Sequence, residues 1–564
     1  MSEPYRGRLE LTWTNKDLSL LAHEDGSYEW VPPTDYRVAE VRMLREAGTV
    51  GDTTGSDNLL VRGDALSALH SLSAIPSYAD QYVGQVRLAY LDPPFNTHQS
   101  FLHYDDALEH SVWLTMMRDR LLQIRRLLSP DGSVWVHCDD YEQAHLRVLL
   151  DEIFARSNFV STIVWEKAQG AKGDTDISSA HDFIMVYAKD KALWKQTRNL
   201  LPRTDAQTAR YKNPDDDPRG PWRQYADGTA KSGDPDTNRF DITLPSGRVV
   251  RPPKGSFWRF SEETLATARA EGRVYFGRDG DGLPVIKQYF SEVKKGVVPK
   301  SWWPATEVGS NQEAKRDHLR RLFPDIELFD TPKPERLMHR IIHIASNPGD
   351  IVLDCFGGSG TTAAVAHKMG RRWVAIERSS ETLDTFAIPR LTMVVAAQDP
   401  GGITDQVGWT GGGGFQILDV GPSMFEDDAG VVMLAEWASN SALAEVTAAQ
   451  LGYAYEPAAP FCGRKGRSRL AVIDGLVNAT VIELLVGALD EEEQLTVCGT
   501  SIDQEAVETV RALRPGSRVR KIPASLLTEY QDATRWQPRV LDSELPVPDG
   551  RLPAAVPHDR AAEA

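Results

Sequence analysis

The sequence has few cysteines and lacks the motifs of several enzyme classes. Its four cysteines, Cys138, Cys355, Cys462 and Cys498, are far apart and form no C-x-x-C pair, which argues against a disulfide framework and a zinc site. The Walker A pattern G-x-x-x-x-G-K-[ST] is absent, as is any recognisable nuclease motif. ATP hydrolysis or cleavage linked to this chain would therefore have to come from another chain.

The sequence also lacks a long hydrophobic run. No apolar stretch approaches the roughly 18 residues of a membrane-spanning helix, and residues 1–4 are unlike the start of a signal peptide. We therefore expect no membrane partner and a cytoplasmic location. The chain has 564 residues, 41% of them hydrophobic. That length is enough for roughly two to four domains with separate cores.

Positive charge is scarce overall but locally concentrated. The formal net charge of −17 argues at first against a nucleic-acid partner, because neutralising phosphates requires Lys and Arg. Residues 248–300, however, contain 11 basic and 6 acidic residues, whereas the chain from residue 401 onward contains 13 and 24. We expect DNA to contact the middle of the chain and the acidic C-terminal part to face elsewhere.

A glycine-rich turn follows a short apolar strand predicted at residues 351–353. Its glycines are Gly357, Gly358 and Gly360, and a helix is predicted at 362–368. Such a turn can seat a cofactor, although the full G-x-G-x-x-G pattern is absent and a purely structural turn remains open. The next predicted strand ends at Glu377, about 20 residues on, where an acid can bind ribose hydroxyls. The pattern favours a nucleoside ligand.

A second apolar strand, at residues 88–91, ends in Asp92-Pro93-Pro94-Phe95. The exocyclic amine of adenine or cytosine is a poor nucleophile, because its lone pair is delocalised into the ring. The Asp92 carboxylate and the Pro93 carbonyl, both aimed at the amine hydrogens, would favour the pyramidal amine as charge develops. Phe95 offers a flat face on which an extruded base can stack. The alternative is a surface turn with Phe95 in the core.

Four motifs in this order resemble those of amino-methylating DNA methyltransferases. Asp92 to Phe95 resembles their catalytic motif, and residues 354–360 resemble their S-adenosylmethionine loop. Residues 331–337, Thr-Pro-Lys-Pro-Glu-Arg-Leu, resemble the motif that closes over the methionine end of the cofactor in the permuted β class. Residues 62–66 resemble the acidic motif before the catalytic strand. Over residues 9–417, the chain is most similar to the modification (Mod) subunit of type III restriction-modification systems.

The resemblance implies roles for particular residues. It implies catalysis by Asp92, Pro93, Pro94 and Phe95. It implies cofactor binding by Asp64, Lys333, Pro334, Glu335, Asp354, Phe356, Gly358, Gly360, Thr361 and Glu377. Asp64 has an alternative role as the N-cap of a helix at 65–71. A first-position Asp usually means adenine N6 in this family, and cytosine N4 is the alternative.

The predicted fold class is α/β. The resemblance implies a Rossmann-like S-adenosylmethionine-dependent methyltransferase core with permuted motif order and an inserted target-recognition domain. Short strands predicted at 469–474, 494–499 and 518–522, with a helix at 502–513, indicate a small C-terminal α/β domain. We predict an N-terminal extension at 1–57, the catalytic half of the core at 58–190 and the target-recognition insertion at 191–330. The cofactor half follows at 331–400, a C-terminal interaction domain at 401–545 and a disordered tail at 546–564. Gly401, Gly402 and the run 411–414 indicate a linker.

Apolar spacing also predicts helices at 110–128, 142–154 and 381–398, and a strand at 133–137. Residues 137–140, His-Cys-Asp-Asp, lie at a strand end without metal-type spacing and are interpreted as core and cap residues, so no metal is predicted. Residues 98–106 are predicted to form a mobile loop over the active site.

The predicted activity is methylation of adenine N6 in double-stranded DNA by base flipping. A rival hypothesis is a recognition subunit that mainly directs a helicase-nuclease partner to DNA. The resemblance alone raises a homodimer and a restriction/helicase subunit as expected partners.

Overall fold

The computed structural model describes residues 10–23, 27–54, 58–96, 109–170, 176–293 and 296–532. Its strands, in chain order, are β1 Ser19–Ala22, β2 Tyr28–Val31, β3 Leu44–Gly51, β4 Leu59–Arg62, β5 Val86–Leu91, β6 Leu128–Cys138, β7 Phe159–Glu166, β8 His181–Ala188, β9 Trp222–Asp227, β10 Thr229–Ala230, β11 Ile242–Thr243, β12 Val249–Val250, β13 Phe257–Trp258, β14 Val274–Tyr275, β15 Val285–Tyr289, β16 Trp302–Trp303, β17 Ile351–Asp354, β18 Arg372–Glu377, β19 Gly414–Val420, β20 Phe425–Asp428, β21 Val431–Leu434, β22 Ala454–Ala458, β23 Phe461–Lys465, β24 Ser468–Val477, β25 Gln494–Ile502 and β26 Arg518–Lys521.

The α-helices are α1 Tyr36–Ala39, α2 Ala65–Ala74, α3 Pro76–Tyr82, α4 His110–Leu127, α5 Gln143–Phe154, α6 Lys191–Thr197, α7 Asp205–Thr208, α8 Glu262–Ala270, α9 Ala305–Val308, α10 Arg320–Leu322, α11 Glu335–Ala345, α12 Thr361–Lys368, α13 Ser380–Thr382, α14 Ile388–Val395, α15 Thr404–Val407, α16 Asn440–Leu451, α17 Ala479–Gly487, α18 Gln504–Leu513 and α19 Ala524–Asp532. Single 3-10 turns lie at Arg156–Asn158 and Phe290–Glu292, and π-helical segments at Glu313–Leu319 and Leu383–Ala387.

The largest sheet has the strand order β16-β7-β8-β6-β5-β17-β18-β4-β19-β3. From β6 to β19 through β5, β17, β18 and β4, neighbouring strands are parallel. The strands β5 and β17 are buried along their whole length, as expected for parallel strands with helices on both faces. This largely parallel sheet confirms the predicted α/β fold class.

The outer strands of this sheet come from intervals that the sequence assigns elsewhere. Strand β3 lies in the predicted N-terminal extension, and β19 follows the glycine run at 411–414 that indicates a linker. In the structure these two strands pair antiparallel. A Cβ at Gly414 would lie 2.4 Å from the Val50 carbonyl oxygen, so glycine permits close contact between strands here rather than flexibility.

The chain divides into two compact units, and residues 199–300 form the smaller one. Within this unit, β14, β15 and β9 form a three-stranded sheet, and β10-β13 and β11-β12 are two-stranded pairs. Its core contains Trp258, Phe260, Leu265 and Ile286. A hydrophobic core of this kind means that the interval is a folded unit and not a long loop.

The larger unit, residues 1–198 and 301–564, also contains the region after β19. There β22 to β26 form a five-stranded sheet in sequence order. Strands β24 to β26 are parallel and are joined through α17 and α18, which pack on a core that includes Ile482, Leu485 and Val510. Among the residues described, no helix is both long and apolar enough to cross a membrane.

Candidate active site

The two motifs that lie about 260 residues apart in the sequence meet at the centre of the large sheet. Strands β5 and β17 pair in parallel, with Val352 opposite Leu88 and Leu353 opposite Ala89. Asp92 directly follows β5, and Asp354 is the last residue of β17. Ligands of open α/β sheets bind outside the carboxyl ends of such strands. The pairing therefore puts the Asp-Pro-Pro-Phe turn and the glycine turn at one edge.

The two carboxylate oxygens of Asp92 face different side chains. The Lys333 ammonium donates to Oδ2 at 2.5 Å. On the other side, Nδ1 of His137 lies 4.0 Å from Oδ1. Lys333 is 7% exposed and Asp92 is 20% exposed, so this ion pair is largely shielded from water. The Asp92 carboxylate is thus held in place but still reachable from outside.

A buried chain of polar groups extends from Asp92 into the sheet. Tyr90 Oη and His137 Nδ1 are 2.9 Å apart, and His137 Nε2 lies 3.3 Å from Asp182 Oδ2. The Lys167 ammonium donates to the other oxygen of Asp182 at 2.6 Å. Burial opposes ionisation of Asp182, but the hydrogen bond from His137 and the charge of Lys167 prevail and lower its pKa to about 2. Asp182 is therefore an anion beneath His137.

The Phe95 ring contacts two basic side chains. It stacks on the His137 ring with centroids 5.4 Å apart and planes 28° apart, and the Lys333 ammonium lies 5.4 Å from its centroid. The turn itself is fixed by the Trp113 indole, which donates to the Pro94 carbonyl at 2.7 Å. This arrangement orients the aromatic face next to Asp92.

The glycine turn lies between β17 and α12. Gly358 and Gly360 have φ values of +47° and +75°, and Gly360 is the N-cap of α12. A Cβ at Gly358 would lie 3.2 Å from the Phe329 ring. Glycine is therefore favoured both by the backbone conformation and by the tight space. Phe356 in this turn is half-buried, and the Arg120 guanidinium lies 5.8 Å from its ring.

Two carboxylates brace this turn through backbone and hydroxyl donors. Asp354 accepts from the Phe356 amide at 2.9 Å and from the Thr362 hydroxyl at 2.6 Å. Glu377 accepts from the Gly358 amide at 2.8 Å. Burial raises the pKa of Asp354 to about 7, with Asp92 and Glu377 adding repulsion. Burial also raises the pKa of Glu377. Contact of Glu377 with a ribose stays a prediction.

Residues 86–387 match a family model described as DNA methylase. The match spans more than half of the chain and includes both the Asp-Pro-Pro-Phe turn and the glycine turn. The chain belongs to the DNA methylase family.

Two relatives of this DNA methylase are subunits of type III systems. The probable type III restriction-modification enzyme HindVI Mod subunit of Haemophilus influenzae is 31% identical over 66% of this chain and 55% of its own length. The type III StyLTI Mod subunit of Salmonella typhimurium is 32% identical over 62% of this chain and 59% of its own length. The chain thus spans little more than half the length of these relatives.

Among solved structures, the methylase is similar to the PvuII DNA methyltransferase (cytosine-N4-specific). That similarity has a TM-score of 0.33 and 17% identity, and covers 61% of this chain and 89% of the other. A putative DNA modification methylase from Thermus thermophilus, solved in complex with S-adenosyl-L-methionine, has a TM-score of 0.30 at 17% identity and covers 65% and 99%.

Glu335 of the methylase belongs to a buried charge network. Its carboxylate accepts from Lys368 at 2.8 Å, from Arg390 at 2.9 Å and from the Ile403 amide at 3.0 Å. Lys368 also binds Asp399 at 2.7 Å. The network reaches the start of α12, because Arg390 donates to the Thr361 hydroxyl at 2.7 Å. Thr361 and Glu335 are therefore linked inside the protein, and their contact with a cofactor stays a prediction.

The other predicted cofactor residues also have local structural partners. Asp64 is the N-cap of α2 and accepts from the amides of Leu66 and Ser67, as its alternative role requires. It also binds Arg120 at 2.9 Å, and Arg120 faces Phe356. Pro334 is the buried N-cap residue of α11. The predicted loop at 98–106 lies outside the described residues, as do residues 546–564.

Two clusters of histidines and carboxylates within the described part of the chain have metal-like spacing. One is His110, Glu142 and His145; the other is His318, Glu335 and Asp399. In the first, the buried Glu142 carboxylate binds both imidazoles and also accepts from Asn96 at 2.7 Å. In the second cluster, Lys368 and Arg390 already bind the carboxylates of Glu335 and Asp399. Protein donors thus engage the carboxylates of both clusters.

Sequence reasoning missed His137, Asp182 and Lys167 as parts of the site. His137 is interpreted there as a core residue, and it is indeed fully buried, but it contacts the catalytic turn. The available signal is the strand at 133–137. A strand that pairs in parallel with the catalytic strand delivers its last residues to the same edge.

Proposed function

We propose that this chain is a site-specific DNA methyltransferase that transfers a methyl group from S-adenosylmethionine to adenine N6 in double-stranded DNA. The observation that supports this most is the pairing of β5 with β17, which brings Asp92 and the glycine turn to one edge. Cofactor and target amine must be adjacent for a direct methyl transfer. No separate carrier of the methyl group is then needed.

In this mechanism Asp92 and the Pro93 carbonyl hold the amine hydrogens of the flipped base. The charge of the Asp92 carboxylate and the dipole of the Pro93 carbonyl stabilise the pyramidal, more nucleophilic amine of the transition state more than the planar amine of the ground state. Phe95 supplies the stacking face and is oriented by the His137 ring behind it. The Pro94 carbonyl is already used by Trp113, which favours the assignment of the second acceptor to Pro93.

The glycine turn suits an adenosine-type cofactor, because Gly358 and Gly360 have positive φ values and no side chains that would keep a ligand away from the backbone. When bound, S-adenosylmethionine supplies an electrophilic methyl group on a sulfonium. We assign the turn residues Phe356, Gly358 and Gly360 to its seat. The other proposed contacts are Asp64, Lys333, Pro334, Glu335, Asp354, Thr361 and Glu377.

We also propose that residues 199–300 read the target sequence. This unit contains the basic interval 248–300 and has its own core, so it can present basic side chains to DNA from a folded surface. The similarity to Mod subunits supports a place in a type III system, with a restriction/helicase subunit as partner. A homodimer, a cytoplasmic location and an interaction role for the acidic C-terminal region are parts of the same proposal.

Mass spectrometry of nucleosides from DNA treated with the chain and S-adenosylmethionine tests this function. N6-methyladenine is the expected product, and the Asp92→Ala variant is the control for contaminating activity. Detection of N4-methylcytosine would support the same mechanism with cytosine as the target base in place of adenine. If several genomic DNAs give no product, the chain is instead a recognition subunit that depends on its partner.

A further inference from the structure

We infer that His137 is a positioning residue that acts through Asp92: it receives, at Nδ1, the proton that the target amine loses during methyl transfer. This inference rests on the proposed function. It goes beyond it because the motifs assign neither His137 nor its partners Asp182 and Lys167 to the reaction.

The partners of His137 determine which ring nitrogen carries the proton. Asp182 is ionised and can only accept, so Nε2 of His137 must donate to it across 3.3 Å. Nδ1 of the neutral ring then has no proton and accepts from the Tyr90 hydroxyl at 2.9 Å. Burial keeps Tyr90 protonated by raising its pKa. The ring is therefore held as a base whose acceptor nitrogen is Nδ1, and the Tyr90 hydroxyl must turn away from Nδ1 when a proton arrives there.

Asp92 is arranged to connect the amine with that lone pair. Its Oδ2 is neutralised by Lys333, while its Oδ1 is the oxygen that lies 4.0 Å from Nδ1 of His137. Oδ1 is thus the Asp92 oxygen that faces the acceptor nitrogen of the ring. The oxygen on the Lys333 side is the weaker base of the two, because a cation already binds it.

The proton balance of the step is complete within these groups. The amine nitrogen forms a bond to the methyl carbon, and the carbon–sulfur bond breaks with its electron pair left on sulfur. One N–H bond breaks, its electron pair stays on nitrogen, and the proton passes to Oδ1 of Asp92 and then to Nδ1 of His137. Asp92 regains its charge, and the imidazolium is paired with Asp182.

The His137 ring has a carboxylate near each of its two nitrogens. The side chain is fully buried, so water cannot supply the counter-charge. The titratable groups in contact with the ring are Tyr90, Asp92 and Asp182, and Trp165 and Phe95 are its aromatic neighbours. Lys167 and Lys333 lie one contact further out. The two carboxylates thus balance the two lysines before the proton arrives, and Asp182 pairs with the imidazolium afterwards.

The variant Asp182→Asn tests this relay with little change in shape. Its amide can donate to Nε2, which favours the tautomer with a proton already on Nδ1. We expect single-turnover methyl transfer to slow by about 100-fold or more, since positioned proton transfer contributes on the order of 10² to 10⁴. The Kd for DNA and for S-adenosylmethionine should remain within about twofold, because Asp182 is buried beneath His137.

Asp151→Asn is the matched control. Like Asp182, Asp151 accepts a hydrogen bond from an aromatic side chain, here from the hydroxyl of Tyr187 on β8 at 2.6 Å. Asp151 itself lies on α5 and belongs to no part of the site. We expect this variant to keep the wild-type rate. A wild-type protein that makes no methylated base refutes the proposed function itself. An active wild type with equal rates for Asp182→Asn and Asp151→Asn refutes the relay alone.

Chemical rescue provides a second measurement. His137→Ala removes the base and leaves a cavity of imidazole size beside Asp92. We expect its rate to fall at least as far as that of Asp182→Asn and to rise with added imidazole, which a purely structural role for His137 does not predict. A rate that imidazole leaves unchanged in a folded, ligand-binding His137→Ala protein overturns the assignment.

Discussion

Replacing the buried Glu335 by glutamine tests how the charge network supports the cofactor turn. Four side chains, Glu335, Asp399, Lys368 and Arg390, are each at most 1% exposed and carry two negative and two positive charges. Glu335→Gln keeps the side-chain shape but leaves one positive charge without a counter-charge in the interior. Breaking a buried ion pair in this way costs roughly 3–5 kcal/mol. We expect the low end, about 3 kcal/mol, because Lys368 keeps Asp399.

The same network makes stability depend on pH. Burial opposes the charge of Glu335, but Arg390 and Lys368 outweigh it and lower its pKa below the ordinary value. A carboxyl whose pKa is lowered in the folded state stabilises the protein above its unfolded pKa, near about 4.3, and loses that contribution as the pH falls. The difference between wild type and Glu335→Gln should therefore shrink in acid.

Guanidinium unfolding measures this cost, and exchange of the Ile403 amide, which donates to Glu335, reports it locally. Glu492→Gln is the control, since Glu492 pairs with Arg467 on the surface, where both side chains are about three-quarters exposed. Loss of this ion pair should change the free energy of unfolding by less than about 1 kcal/mol. The double variant Glu335→Gln, Lys368→Met restores charge balance and should recover part of the loss. Equal stability of Glu335→Gln and wild type, with weaker cofactor binding, would refute the structural role.

Three further outcomes are expected. Asp92→Ala should abolish methyl transfer with little change in the Kd for DNA or cofactor; retained turnover in a rapid-quench assay contradicts its role. Phe95→Ala should weaken binding of the specific duplex by about 1–3 kcal/mol in a titration, whereas Phe95→Trp should bind it nearly normally. Equal losses of affinity in both variants contradict stacking. Burial, with repulsion from Asp92 and Glu377, raises the pKa of Asp354 to about 7. Protonated Asp354 therefore contributes fully to the stability of the fold below about pH 4, and this contribution is lost as the pH rises through 7. Asp354→Asn should remove this part of the pH–stability curve in thermal melts; an unchanged curve contradicts it.

Much of the fold follows from local patterns in the sequence. The predicted helix at 110–128 is α4, His110–Leu127, and the strand at 351–353 is β17 with one more residue. Apolar spacing is a local property, so it is visible without a structure. The predicted helix at 381–398 ends earlier, at Val395, and contains a π-helical segment at Leu383–Ala387. Packing decides such irregularities, and the sequence pattern does not show them.

The placement of β3 and β19 depends on pairing between distant segments. Glycine runs have the same composition in a linker and in a tight strand junction, so only the partner strand distinguishes them. Here the partner is β3, more than 360 residues earlier in the chain, against which Gly414 packs closely. Sequence composition alone therefore favours the wrong one of these two roles.

Some residues of the candidate site can be predicted from sequence motifs, and others only from the order of strands in the sheet. Asp92, Phe95 and Lys333 are accessible to sequence reasoning because each lies in a short motif, and the structure brings all three together. His137 and Asp182 lie in no motif. Their role depends on β6 and β8 being the next strands beside β5, which is a matter of sheet order. Side chains that act through a neighbour are thus hidden until the strands are placed.

The central position of β17 has a consequence for how the protein is made. At roughly 5–20 residues per second, a ribosome needs on the order of 10–50 s to proceed from Asp92 to Asp354. During that interval β5 can pair with β6, but the edge meant for β17 has no native partner. An unpaired apolar edge is a template for aggregation. We therefore expect β5 to be one of the segments of the nascent chain that chaperones protect.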